Sequence, residues 1–192
     1  MLQLGLEKTG LFEDIEKSGH IGGTLFAPSN YAFKKLGPKI NAFLFSKYGL
    51  KYLRALLEYH IVANTTLYSD AIYRHRSKNS EEVEGDTSVF SHMTGPPYRR
   101  FHIDLPTILY GKHLSIDILR WSRFISFVIN GFNHVAVLDG VAKDGVLHVV
   151  PNVLIPPKTP GATAEILDRE WTVEEFVERL SPLVENGRCG EL

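Results

Sequence analysis

The chain has 192 residues, a formal net charge of −1, 44% hydrophobic and 22% charged residues, so it is long enough for one domain with a real core. Near-neutral charge argues against a nucleic-acid binder, and a lone cysteine, Cys189, excludes an intrachain disulfide and leaves the compartment open. No apolar run is long enough to span a bilayer, and Met1 to Gly19, with Glu7, Glu13, Asp14 and Glu16, does not read as a signal peptide.

In chain order, residues 2–17 carry Leu4, Leu11 and Ile15 at roughly helical spacing and predict a helix that Gly10 splits. Gly22-Gly23 opens a short strand, Thr24 to Ala27. Ser29 is the expected N-cap of a helix through Leu36, stopped by Gly37-Pro38. Leu50, Leu53 and Leu57 share one face of an amphipathic helix from Leu50 to Tyr59. A short strand and a turn follow in 60–75. Residues 76–88 end in Glu81-Glu82-Val83-Glu84-Gly85-Asp86 and read as a solvated loop.

The period then changes. Leu114, Ile116 and Ile118 alternate with Ser115 and Asp117, which predicts a half-buried strand. Phe124 to Ile129 is a second strand, with a turn at Asn130-Gly131. Val135 to Leu138 and Val146 to Val150 are further strands, joined by a tight turn at Asp144-Gly145. Pro156-Pro157 closes the block. After it, Thr172 and Glu175 form a capping box for a helix with Val173, Phe176, Val177 and Leu180 in one stripe, which Pro182 is expected to end or kink. Helices first and strands later make the fold class α+β.

Five features in order resemble the fasciclin-like domain family. Thr24-Leu25-Phe26-Ala27-Pro28-Ser29-Asn30, with Ala32-Phe33 and Leu36, is similar to the family's first signature block. Asp144-Gly145-Val146-Leu147-His148-Val149-Val150, with Val153-Leu154-Ile155-Pro156-Pro157, is similar to its second. Between them, Leu56-Leu57-Glu58-Tyr59-His60-Ile61-Val62 resembles the tyrosine-histidine segment, and Gly111-Lys112 and Val128-Ile129-Asn130-Gly131 fall in the expected places. The resemblance implies a fasciclin-like β-sandwich wedge decorated by N-terminal and central helices, plus a C-terminal helix. The expected division is a fasciclin-like domain over 1–157 with its N-terminal helix truncated, a linker over 158–170, and an acidic helix and tail over 171–192 that resembles extensions of fungal members.

The resemblance also implies adhesion. The expected function is a non-catalytic protein–protein interaction module, extracellular, at a cell surface, in a matrix or in a vacuolar lumen, with a protein or glycan partner and further domains in tandem. The alternative is a binding domain for an anionic ligand, such as a sulfated glycan, another anionic polymer, a lipid headgroup or a membrane surface. The family's Asp-Ile pair, tied to receptor adhesion in some animal members, has only Asp139-Gly140 as its counterpart here.

Tyr59 and His60, with Asp139, are the adhesion or structural motif, and the structural role is favoured because fold-level analogy is weak evidence for a site. Arg74 and Arg76 in one segment and Arg99 and Arg100 in another are candidates to meet an anionic partner, since guanidinium forks suit sulfate, phosphate and carboxylate. The region beyond residue 164 is acidic by contrast. Asn64-Thr65-Thr66 is an N-glycosylation sequon. The eight histidines are dispersed without ligand spacing, so no metal and no cofactor is expected. No nucleophile elbow or phosphate loop is present, and Asp104, Asp117 and Asp139 read as carboxylates on solvated strand faces, so no catalytic residues are assigned.

Overall fold

The structure is a computed structural model and describes residues 1–17, 22–69, 99–121, 124–143, 145–157 and 171–186. The expected loop at 76–88, the linker at 158–170 and Cys189 lie outside them, as do Arg74 and Arg76.

Helices come first. Helices α1 (Leu2–Lys8) and α2 (Leu11–Lys17) are separated at Gly10, whose φ of 71° is a left-handed conformation that glycine adopts without a Cβ clash. Strand β1 (Gly23–Pro28) leads into α3 (Asn30–Lys35), capped as expected by the Ser29 hydroxyl accepting from the Ala32 N–H at 3.1 Å. A further helix, α4 (Pro38–Leu44), starts where the sequence signalled only a stop. Pro38 sits in its first turn, where a missing N–H matters least, and Ile40 and Leu44 are buried one turn apart. Helix α5 (Leu50–Tyr59) buries Leu53, Leu56 and Leu57, and β2 (Ile61–Ala63) follows directly.

Two four-stranded sheets hold the eight described strands. The first runs β2-β1-β8-β7, with β7 (Val137–Ala142) and β8 (Gly145–Val150). The second runs β3-β4-β5-β6, with β3 (Arg99–Pro106), β4 (His113–Trp121), β5 (Phe124–Ile129) and β6 (Asn133–His134). The expected strand from Val135 to Leu138 is therefore divided between the sheets. Val135 N–H still reaches Phe127 and Ala136 N–H reaches Val149, so the chain crosses from one sheet to the other within two residues.

The sheets face each other across a core drawn from both. Phe26, Val62 and Val150 come from the first and Leu105, Leu114, Ile116, Ile118, Phe127 and Ile129 from the second. A second core lies among the helices and includes Phe33, Leu44, Leu53, Leu57, Phe176 and Leu180. The last two belong to α6 (Val173–Asn186), whose start carries the reciprocal capping box: Glu175 N–H donates to Thr172 Oγ1 at 3.2 Å and Thr172 N–H to Glu175 Oε2 at 3.3 Å. Pro182 lies inside this helix rather than at its end, because α6 continues to Asn186. The Arg54 guanidinium ties the N-terminal pair to α5, donating to Glu58, Asp14 and the Thr9 carbonyl.

Candidate functional site

Tyr59 and His60 close α5 and are both fully buried, and they bond different segments of the chain. The Tyr59 hydroxyl donates to the His113 carbonyl at 3.1 Å and accepts from Asn130 Nδ2 at 3.1 Å. Asn130 has a φ of 52° and also bonds Ser115 through backbone and side chain, so the expected Asn130-Gly131 turn is fixed to β4 and to the tyrosine together. Burial pushes the Tyr59 phenol up to about 12, although the bond from Asn130 acts the other way.

His60 joins the end of α5 to the segment after β8. Its Nδ1 lies 2.7 Å from the Leu56 carbonyl and so carries the proton, while Nε2 accepts from the Leu154 N–H at 2.9 Å. Those partners fix one neutral tautomer, because a second proton on Nε2 would meet another N–H. Burial pushes the imidazole down to about 4, against the opposing bond to Leu56.

Asp139 stands apart from this pair. It lies in β7 at a register irregularity between Val137 and Gly140, with a φ of 58°. Its carboxylate accepts from the Ser69 backbone N–H at 2.9 Å and from the Ser69 hydroxyl. Its own N–H donates to His148 Nδ1 at 3.2 Å, and His148 Nε2 donates to the Leu67 carbonyl at 2.7 Å. A serine, a histidine and an aspartate thus gather, yet not as a proton relay. The aspartate takes the serine donors itself and the imidazole faces backbone on both sides. His148 is packed between Phe26 and Phe127, and burial lowers its pKa although the bond to Leu67 and the Asp139 charge oppose this. Asp139 was expected with Tyr59-His60 as one motif; in space it belongs with Ser69 and His148, a grouping without a local signal because these residues are 70 and 9 positions from it in sequence.

The outer face of the second sheet carries Arg100, His102, Asp104 and Asp117. Arg100 donates to Asp117 through Nε at 3.2 Å and approaches its other oxygen through Nη2 at 3.1 Å. His102 Nδ1 lies 3.0 Å from the same carboxylate, and its Nε2 lies 3.5 Å from Asp104. Asp117 is therefore only 8% exposed, not the solvated strand residue expected from alternation. Although burial alone would raise its pKa, the bonds and charges of Arg100 and His102 bring it below the usual carboxylate range. Asp104 and Asp117 share this cluster while Asp139 is in the other sheet. Arg99 starts β3 opposite Arg120. Asn64 is exposed on the turn after β2, with a φ of 59°. Among the described residues no group of three histidine, cysteine, aspartate or glutamate side chains could hold a metal ion, and no helix is long and apolar enough to cross a membrane.

The fasciclin domain family model matches residues 2–156, and the chain belongs to that family. The aurofusarin biosynthesis cluster protein S of Gibberella zeae is 32% identical over 204 residues, an alignment that covers 96% of this chain and 48% of the relative. Among solved structures, the FAS1 domain pair from the insect cell adhesion molecule fasciclin I is similar in fold, with a TM-score of 0.53 at 19% identity. That match covers 96% of this chain and 51% of the pair. The chain spans about half the length of each.

Proposed function

We propose that this fasciclin domain works by presenting surface to another macromolecule, as a non-catalytic adhesion or interaction module at a cell surface or in an extracellular matrix, with a vacuolar lumen as the alternative setting. One observation carries the reading. The polar side chains that offered themselves as chemistry, Tyr59, His60, Ser69, Asp139 and His148, all bond within the fold. What is left to the outside is shape, charge and exposed aromatics. Surfaces coated with the folded chain should retain cells or matrix protein, and the same chain denatured before coating should not. Equal retention by both would overturn the proposal.

A second reading rests on the relative from Gibberella zeae, whose name ties it to a biosynthesis cluster. On that reading the partner surface belongs to a biosynthetic enzyme, and the domain holds that enzyme in an assembly. Size-exclusion chromatography of the chain with enzymes encoded beside its own gene tests this, and separate elution of every pair counts against it. The alternative of an anionic ligand held by Arg74, Arg76, Arg99 and Arg100 has less support at Arg100, which Asp117 already engages.

A further inference from the structure

The end of the second sheet carries a pair of large aromatic side chains that stay largely in water. Trp121 and Phe124 are the last register pair of β4 and β5. Their rings stack on each other with centroids 6.2 Å apart and planes at 26°, yet they remain 55% and 67% exposed. Two large aromatics left in water beside each other are an informative exception, whereas single exposed apolar residues are ordinary.

One register step back, Arg120 of β4 lies opposite Arg99 of β3. Among the described residues Arg120 has no ion-pair partner. No acidic residue occurs in 99–101, 118–121 or 124–126, the three strand ends that meet here. Successive residues of a strand point to opposite faces, so Trp121 and Arg120 occupy both sides of the sheet end. The arrangement is aromatic at the last pair and cationic immediately behind it.

We propose that this strand end docks on an anionic lipid bilayer surface, with Trp121 and Phe124 entering the interfacial layer and Arg120 drawn to lipid phosphates. Tryptophan favours the membrane–water interface because its ring is apolar while its N–H can stay hydrated. Basic residues near such a surface each strengthen binding by about fivefold. An extended anionic polymer is the poorer occupant. Lying along the outer face it would pass from Trp121 over Asp117 and Asp104, whose carboxylates repel it. A flat surface meeting the strand end touches the aromatic pair and then Arg120, and need not reach those acids. This docking is additional to the protein-recognition reading and does not depend on it.

The test uses the full chain as Trp171→Phe, so that Trp121 is its only indole. Co-sedimentation and indole emission are followed with vesicles of phosphatidylcholine alone and of phosphatidylcholine with phosphatidylserine. Binding to the anionic vesicles, a blue shift of Trp121, weakening with salt and about fivefold loss in Arg120→Gln are expected. The Phe124→Ser variant should lose binding while keeping a cooperative melt and the parent's far-ultraviolet circular dichroism, because Phe124 is largely exposed and outside both cores. No binding, equal binding to both vesicle types, retention on heparin without binding to vesicles, or an unaffected Phe124→Ser would each overturn the proposal.

Discussion

At His60 one ring nitrogen decides how the fold responds to acid. The native imidazole is held neutral between the Leu56 carbonyl and the Leu154 N–H, and its pKa falls from 6.5 to about 4. An unfolded chain takes up that proton near 6.5, whereas the native chain resists until about 4. The unfolded state therefore binds more protons in that window. The His60 contribution is fully present above 6.5 and is progressively lost as pH falls through the window, by about 3 kcal/mol in total. His148 shifts in the same direction and adds to the same loss. Urea midpoints measured from neutral pH down to about 4 should fall accordingly. His60→Phe should flatten part of that dependence while being less stable at neutral pH, because it leaves the Leu154 N–H unpaired. At the same scale, Asn64 is open to glycosylation: it is exposed and its backbone N–H is bonded to the Gly22 carbonyl, leaving its side-chain amide outside. In material passed through a secretory pathway, intact mass should fall on deglycosylation, and Asn64→Gln should abolish that difference.

Among the elements, those with local signals were legible. The Ser29 cap, the Thr172–Glu175 box and the Leu50–Tyr59 stripe need only neighbours within one turn, and all three appear where those neighbours predict. Signals with two meanings misled. Gly37-Pro38 ends one helix and begins another, and Pro182 is tolerated because buried Phe176 and Leu180 hold α6 against the helical core on the turns before it. Asp117 was misread for a related reason: alternation gives the face of a strand residue, not whether Arg100 and His102 will cover it. The packing of α6 leads to a prediction. Phe176→Ala removes a fully buried ring and should destabilise the chain by about 3–5 kcal/mol in equilibrium unfolding.

Across the whole molecule, the order of strands was not legible, because it depends on pairings remote in sequence. Leu25 pairs with Leu147, and Phe26 with His148. The same holds for the candidate site, where Ser69 and Asp139 meet only once β7 and β8 are in place. Local patterns supplied the α+β class, and the family resemblance supplied the β-sandwich wedge. The two cores share Leu183 and Val184 of α6 as flanking residues, which couples the helical layer to the sheets. Thermal unfolding of Trp121→Phe, followed by Trp171 fluorescence and by far-ultraviolet circular dichroism, should therefore give coincident transitions. Separate midpoints would show that α6 melts independently.

Strands β1 and β8 run parallel at the centre of the first sheet, paired from Thr24 with Val146 to Pro28 with Val150. The chain enters this ladder at the Gly23 end and leaves it at the Val150 end, on opposite ends of the pair. Tension drawn between the flanking segments, once α1, α2 and α6 have given way, slides the two strands along each other and loads all the rungs together. Pulling at adjacent ends would instead open them one at a time. Forced unfolding is limited by the rate of crossing that barrier, not by equilibrium stability. The domain is consequently built as a mechanical clasp, and its resistance should depend on the direction of pull.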